Sequence, residues 1–260
     1  MQYLEAKSLG PQNQLLSQPW LGSAAITAGM GVFLGASGDN KPHRHWAHQI
    51  AIGLEEPIAL LSDKTRYFER GLWIPAGTAH QLETAHVLCI YIDPTHDFCK
   101  TLLPQIAVEE WSISLLNEEI SSAYVTRFAK VKNLHAALIS FDKQCRCQFS
   151  DTPDERLNVI LAALKDDISS GNNTTQKTLS SLVHLSPSRF SHWFTEQTGM
   201  PLRSYRKWLK LLVGFELSRR MPLTDAALLS GFSDQAHFCR AVTQAFGVSA
   251  TTIKQLLLQK

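Results

Sequence analysis

The sequence predicts an α+β multidomain chain: an N-terminal β-barrel, helices after it, and an all-α C-terminal domain with two helix-turn-helix motifs. Three observations predict it. Short runs rich in Ile, Val, Leu and aromatics, separated by Gly, Asp, Asn and Pro, fill residues 24–94. The apolar spacing then changes from short runs to an interrupted 3.6-residue repeat. Near the end, one pattern of 16 residues occurs twice, at an offset of 48.

The 260 residues suffice for two domains of ordinary size, and a composition 44% hydrophobic and 18% charged supplies a core rather than a disordered chain. No run of about 18 apolar residues is present, so no membrane span is expected. The opening MQYLEAKSLG lacks the basic and apolar regions of a signal peptide, so a cytoplasmic location is expected. Cys89, Cys99, Cys145, Cys147 and Cys239 have no framework spacing and read as reduced thiols. Charge is divided unevenly. Residues 1–151 hold 12 Lys+Arg against 15 Asp+Glu, and residues 152–260 hold 13 against 8. A basic C-terminal part suits a nucleic-acid module, although charge scatter gives the same numbers.

In chain order, AAITAGMGVFLG (24–35), HQIAIGL (48–54), YFERGLWIPAG (67–77) and HVLCIYIDP (86–94) read as strands of a sandwich or small barrel. Segments 97–119 and 121–140 read as helices that either pair two subunits or pack on the barrel. The polar stretch QFSDTPDE (148–155) closes the first half. The domains are therefore expected at 1–100 (barrel), 101–151 (helical linker or dimerisation region) and 152–260 (DNA-binding). Asp154 or Thr152 can cap the helix ERLNVILAALKDDI, and SSGNNTTQK (169–177) reads as a loop.

The repeated pattern is SPSRFSHWFTEQTGMP (186–201) and DQAHFCRAVTQAFGVS (234–249). Phe190 aligns with Phe238, Phe194 with Val242, and Gly199 with Gly247. A short helix precedes each copy, TLSSLVHL in the first and LTDAALLS in the second. Ser186 can cap the first copy with Pro187 at its first helical position, and Ser233 can cap the second after a turn at Gly231. Phe190 and Phe194, joined by Trp193, form one buried stripe; Phe238 and Val242 form the other. Helical spacing leaves Ser188, Ser191, His192 and Thr195 on the free face of the first copy, and Gln235, Ala236, Cys239, Arg240 and Thr243 on that of the second. Small residues permit close approach, and Gln or Arg can bond adenine or guanine edges bidentately. The candidate DNA-binding set is Ser188, Arg189, Ser191, His192, Gln235, Ala236, His237, Cys239 and Arg240. Between the copies, residues 201–220 read as a long helix with an apolar stripe of Tyr205, Trp208, Leu212 and Phe215. Its basic stripe of Arg203, Arg206, Lys207 and Lys210 offers either phosphate contacts, with Arg206 the candidate, or a solvated face.

Residues 154–258 resemble the DNA-binding domain of the AraC/XylS family of bacterial transcription regulators. The residues that carry the resemblance are LSPSRFSHWFTEQTGMPLRSYRKWLKL and, more specifically, LTDAALLSGFSDQAHFCRAVTQAFGVS. The resemblance implies a seven-helix module and base-reading side chains at Ser188, Ser191, His192, Gln235, Ala236 and Arg240. It also implies a regulator, an activator by family habit, that forms a homodimer and works on a double-stranded DNA operator and RNA polymerase. Departures are His192 where Arg is common, Val242 and Ala245 where larger residues are frequent, and Ser249-Ala250 in place of Ser-Pro.

Residues 38–49, GDNKPHRHWAHQ, and 71–80, GLWIPAGTAH, resemble the two cupin motifs. The resemblance covers roughly residues 20–95 and implies a sensor barrel for a small-molecule or metal effector. His43, His45 and His80 are the candidate ligands of a divalent metal ion, with Gln49 or water completing the shell and His48 as a substitute. Gln49 stands where metal-binding cupins usually carry Glu. That change favours the alternative, in which these histidines line the barrel and hydrogen-bond backbone. His43, His45, Gln49, His80 and Trp46 are the candidate effector-binding residues, and Trp73 flanks the second motif. No enzymatic activity is expected; the competing reading is a cupin-type metal-dependent oxygenase or isomerase with an appended DNA domain. Cys145-Arg146-Cys147 does not supply the zinc-ligand spacing of a DNA-alkylation sensor.

Overall fold

A computed structural model describes residues 18–83, 85–102, 105–106, 112–148 and 155–259. Strands β1 (Leu21–Ile26), β2 (Met30–Ala36), β3 (His48–Gly53), β6 (Gly71–Ile74), β8 (His86–Ile92) and β9 (Ser114–Leu115) form a sheet ordered β1-β2-β8-β3-β6-β9. Strands β4 (Ile58–Ser62), β5 (Thr65–Glu69) and β7 (Gln81–Leu82) form a second sheet ordered β5-β4-β7. Neighbouring strands run antiparallel throughout. All four expected strand runs carry strands, the first split into β1 and β2 and the third into β5 and β6. The sequence reading missed β4, β7 and β9.

The larger sheet is covered on both faces, which is why every residue of β3 is buried. On one face, Ile50, Ile52, Leu88, Ile90 and Trp73 pack against Phe98, Phe128, Leu138 and Phe141. These last four come from helices α1 (Asp97–Leu102), α2 (Glu118–Phe128) and α3 (Leu134–Gln148). On the other face, Ala51, Leu72, Ile74 and Cys89 pack against Ile58 and Leu60 of the smaller sheet. Alternation along a strand therefore sends odd- and even-numbered residues of β3 into different cores.

Segments 97–119 and 121–140 are not two helices. The first ends at Leu102 and returns as a strand, β9, paired with β6. The second is two helices, because Asn133 starts α3 by accepting the Ala136 backbone N–H at 2.8 Å. These helices pack on the barrel, so the division expected at residue 100 does not follow the core. The boundary expected near 151, and the caps Asp154 and Thr152, lie outside the described residues.

The second domain contains seven helices among the described residues: α4 (Glu155–Ser170), α5 (Gln176–Leu182), α6 (Pro187–Thr198), α7 (Leu202–Ser218), α8 (Leu223–Leu229), α9 (Gln235–Phe246) and α10 (Ala250–Leu258). Of the expected loop 169–177, residues 171–175 are non-helical. Its core gathers Phe190, Phe194, Tyr205, Trp208, Phe215, Phe238 and Val242. Leu212, expected in the same stripe, is only partly buried. The domain meets the barrel where α10 lies along β1. There the Trp208 indole N–H donates to Asp93 Oδ2 at 3.0 Å, and the Lys41 N–H donates to the Gly247 carbonyl at 3.1 Å.

Candidate DNA-binding faces and histidine cluster

The two copies of the repeat fold alike. Helices α6 and α9 are each 12 residues long. Ser186 and Asp234 accept backbone N–H bonds from Arg189 and His237. Gly199 and Gly247 close the helices in the left-handed region, at φ +73° and +71°. The second cap corrects the sequence reading: Asp234, not Ser233, caps α9. The Ser233 hydroxyl instead reaches Asp234 Oδ2 and His237 Nδ1, both at 3.1 Å. The turn before α9 uses Gly231 at φ +83°, as expected. The turn before α6 puts His184 at φ +55°, a conformation that costs an L-residue energy.

The burial separates the faces. Phe190, Phe194, Phe238 and Val242 are fully buried. Ser188, Arg189, Ser191 and His192 on α6 are exposed, as are Gln235, Ala236, His237 and Arg240 on α9. Thr195, Cys239 and Thr243 are half-buried at the margins. Trp193 is also half-buried, with the Arg156 guanidinium 5.5 Å above its ring. Gln235 Oε1 accepts from the Thr224 hydroxyl at 2.5 Å, which holds the amide at the start of α9.

The basic stripe of α7 is largely tied inward. Arg206 pairs with buried Asp167 at 3.1 Å and also donates to Asn173 Oδ1 and the Thr174 carbonyl. It braces α7 against the α4–α5 loop. Lys207 donates to Gln244 Oε1 at 3.1 Å, and Lys210 to the Gly231 carbonyl at 2.9 Å. The spacing of Arg206 gave no sign of Asp167, which lies 39 positions earlier.

The barrel brings His43, His45 and His80 together, with one nitrogen of each ring within 4.8 Å of the others. A backbone bridge between His43 and His80 sets two of them side by side. Each Nδ1 lies beside a backbone oxygen: Lys41 at 2.9 Å, Ala47 at 2.8 Å and Thr78 at 2.9 Å. A carbonyl only accepts, so each Nδ1 carries the proton and each Nε2 presents a lone pair. The Nε2 atoms of His45 and His80 face Gln49 Oε1 at 2.9 and 3.1 Å. Three acceptors thus meet without a proton between them. Either a cation or a half-turn of the Gln49 amide relieves this. In the turned form the NH2 donates to both rings and the Cys89 thiol, 3.4 Å from Nε2 as placed, donates to the oxygen.

Burial holds these imidazoles neutral. The pKa of His45 lies well below its usual value, from desolvation reinforced by His80 and His43. That of His80 is lowered to about 4 by burial and by His43, and that of His43 is also lowered by burial. Neutral rings whose Nδ1–H is bonded to backbone are the state in which Nε2 binds a metal. The two readings of the histidines are therefore compatible, since the backbone bonds orient the lone pairs.

His48 does not take part. It neighbours Gln49 on β3 and so faces the other core, stacked on Trp73 at 4.8 Å, with Nδ1 accepting the Ala76 N–H. Trp46 is half-buried beside the turn at Gly77. Sequence reasoning missed what covers the cluster. Phe246, the last residue of α9, stacks on His45 at 5.8 Å, and a Cβ on Gly247 would stand 2.8 Å from His43 Nδ1.

Residues 179–255 match a family model described as a helix-turn-helix domain. A probable transcriptional regulator, LumQ of Photobacterium leiognathi, is 32% identical over 105 residues, 40% of this chain and 42% of LumQ. The transcriptional activator RhaR of Pectobacterium atrosepticum is 38% identical over 77 residues, 29% of this chain and 27% of RhaR. The chain thus spans less than half the length of these relatives. Over about nine-tenths of its length it shares a fold with ToxT of Vibrio cholerae. The apo form superposes with a TM-score of 0.59 at 11% identity, over 90% of this chain and 99% of ToxT. The form bound to an unsaturated fatty acid gives 0.58 at 12%, over 89% and 96%. The helix-turn-helix match over residues 179–255 and the fold shared with ToxT agree with the resemblance of residues 154–258 to the DNA-binding domain of the AraC/XylS family.

Proposed function

We propose that the protein is a sequence-specific DNA-binding transcription regulator. One observation carries the reading: two equivalent helices, α6 and α9, are capped, C-terminated and buried in the same way, and each leaves a polar face exposed. Helices repeated in this way suit successive major grooves on one side of a duplex, about 34 Å apart. Ser188, Ser191 and His192 read one half of the operator; Gln235, Ala236 and Arg240 read the other. Arg189, His237 and Cys239 border these faces. Activation is the mode suggested by RhaR, a named activator; work through RNA polymerase and as a homodimer is what the AraC/XylS resemblance implies.

The barrel is the sensor. His43, His45 and His80 would hold a divalent cation through Nε2, with Gln49 Oε1 as fourth donor. A small-molecule effector at the same residues and Trp46 is the second form of this reading, supported by the ToxT structure with a bound fatty acid. Cover from Phe246 and Gly247 favours a site that reports to α9 over a metal enzyme open to substrate.

Fluorescence anisotropy on duplexes selected from random DNA tests the DNA reading. Affinity should fall steeply with salt, with a log–log slope of several units. A binding curve indifferent to salt and sequence would overturn it. Elemental analysis tests the sensor: one divalent ion per chain, lost in His80→Ala and in Gln49→Leu, is the expected result. A folded wild-type chain that takes up no ion from a zinc or nickel titration removes the metal form.

A further inference from the structure

Each helix-turn-helix is tied across its turn by one bond at the same place. In the first copy, the amide of Gln176, the first residue of α5, donates to the carbonyl of Pro187, the first residue of α6, at 2.8 Å. In the second, Thr224 of α8 bonds Gln235, the first residue of α9. Thr224 follows Gln176 by 48 positions and Gln235 follows Pro187 by 48, so the repeat makes the two bonds equivalent. They differ in what they hold. The first grips backbone and leaves the exposed side chains of α6 alone. The second grips the side chain of Gln235, itself a candidate base reader.

The length of that bond fixes the direction of the amide. Gln235 Oε1 lies 2.5 Å from the Thr224 hydroxyl oxygen. That length suits an O–H···O bond, whereas N–H···O bonds cluster at about 2.9–3.0 Å. The hydroxyl therefore donates, the carbonyl accepts, and the NH2 is left to meet another partner. Thr224 and Gln235 are both exposed. A docked duplex would exclude water from the bond and strengthen it. Adenine presents an acceptor, N7, beside a donor, N6–H2, so a bidentate pair with it takes both the nitrogen and the oxygen of a glutamine amide. Here adenine must share that oxygen with Thr224. Guanine presents two acceptors, N7 and O6, and asks only for the NH2.

We propose that Thr224 sets the base that Gln235 reads: by holding the carbonyl, it makes this glutamine a reader of guanine rather than adenine. Thr224 is a positioning residue and acts through Gln235. The inference rests on the DNA-binding reading and names the base class that one of its side chains takes.

The test uses the full chain and an operator selected from random DNA, with anisotropy titrations on all four bases at each position. The position read by Gln235 is the one whose preference Gln235→Ala erases. Guanine should bind there about fivefold or more tighter than adenine. Thr224→Val keeps the shape without the hydroxyl; it should reverse that order and leave preferences elsewhere as they were. Thr224→Ser keeps the hydroxyl and should keep guanine. Should Thr224→Val fail to fold, Thr224→Ala removes the same hydroxyl and decides. Adenine preferred by the wild type overturns the proposal, as does a Gln235→Ala that erases no preference. An even loss of affinity at every position in Thr224→Val would mark a brace like that of Gln176 and also overturn it. A wild-type chain that enriches no sequence overturns the DNA reading and this proposal with it. An enriched operator whose guanine preference survives Thr224→Val overturns this proposal alone.

Discussion

Ser186 and Asp234, 48 positions apart, do the same work at the starts of α6 and α9, each accepting the backbone N–H three residues on. One is neutral and the other ionised, so pH separates them. The Asp234 carboxyl sits below its ordinary pKa, first because the His237 N–H donates to it and then because the Ser233 hydroxyl does. A lowered folded pKa gives stability that is complete above the ordinary value and is lost as pH falls through the folded one. In urea melts, the deficit of Asp234→Ala should be constant from about pH 7 to 5 and should shrink below about pH 4. That of Ser186→Ala, about 1 kcal/mol, should not move with pH. Parallel pH profiles for the two would show that Asp234 does not cap as an anion.

Arg240→Ala should cost about 1–3 kcal/mol in operator affinity and relax preference at one base pair. His192→Ala should cost less, since an imidazole cannot form the bidentate pair with a base edge that the Arg240 guanidinium can. Anisotropy titrations with single-base operator variants check both. The reverse order would move the main reading face to α6.

Arg206→Ala separates a latch from a phosphate contact. Removing the guanidinium leaves Asp167 buried with only Thr174 as donor, and should lower unfolding stability by about 3 kcal/mol. The salt slope of DNA binding should stay as it is. A slope reduced by about one unit with stability intact is the mark of a phosphate contact.

Gly199→Ala and Gly247→Ala probe the seam. Both positions have left-handed φ, which costs an alanine about 1 kcal/mol. A Cβ at Gly199 meets nothing within 4 Å, whereas one at Gly247 lies 2.4 Å from the Lys41 carbonyl. Gly247→Ala should therefore cost more, about 3 kcal/mol, and should expose the seam to hydrogen exchange at Lys41 and Trp208. Equal losses for the two would mean that the barrel does not hold the end of α9.

The sequence exposes this fold unevenly, for physical reasons. The twin helices are legible because burial and capping act within a few residues: Phe190, Phe194, Phe238 and the closing glycines are local signals. The same 48-residue offset that aligns Gly199 with Gly247 also aligns Ser186 with Asp234, so the true cap could be read and Ser233 set aside. His43, His45 and His80 are legible as a motif. Their geometry is not, because Nδ1 protonation depends on the Lys41, Ala47 and Thr78 carbonyls. The exclusion of His48 follows from strand alternation, once Gln49 is known to face the barrel interior. Arg206–Asp167, Trp208–Asp93 and His45–Phe246 join residues far apart in the chain and left no local pattern. Strand β9 is too short to carry a period.

The central claim is that two matched helices read two adjacent sites on one duplex. Selection of bound DNA from a random pool tests it most directly. The account predicts enriched sequences with two preferred blocks, centred about one helical turn (10–10.5 base pairs) apart. Arg240→Ala should erase a preference within one block only. A pool that returns unenriched, or a single block unaffected by Arg240→Ala, would contradict it.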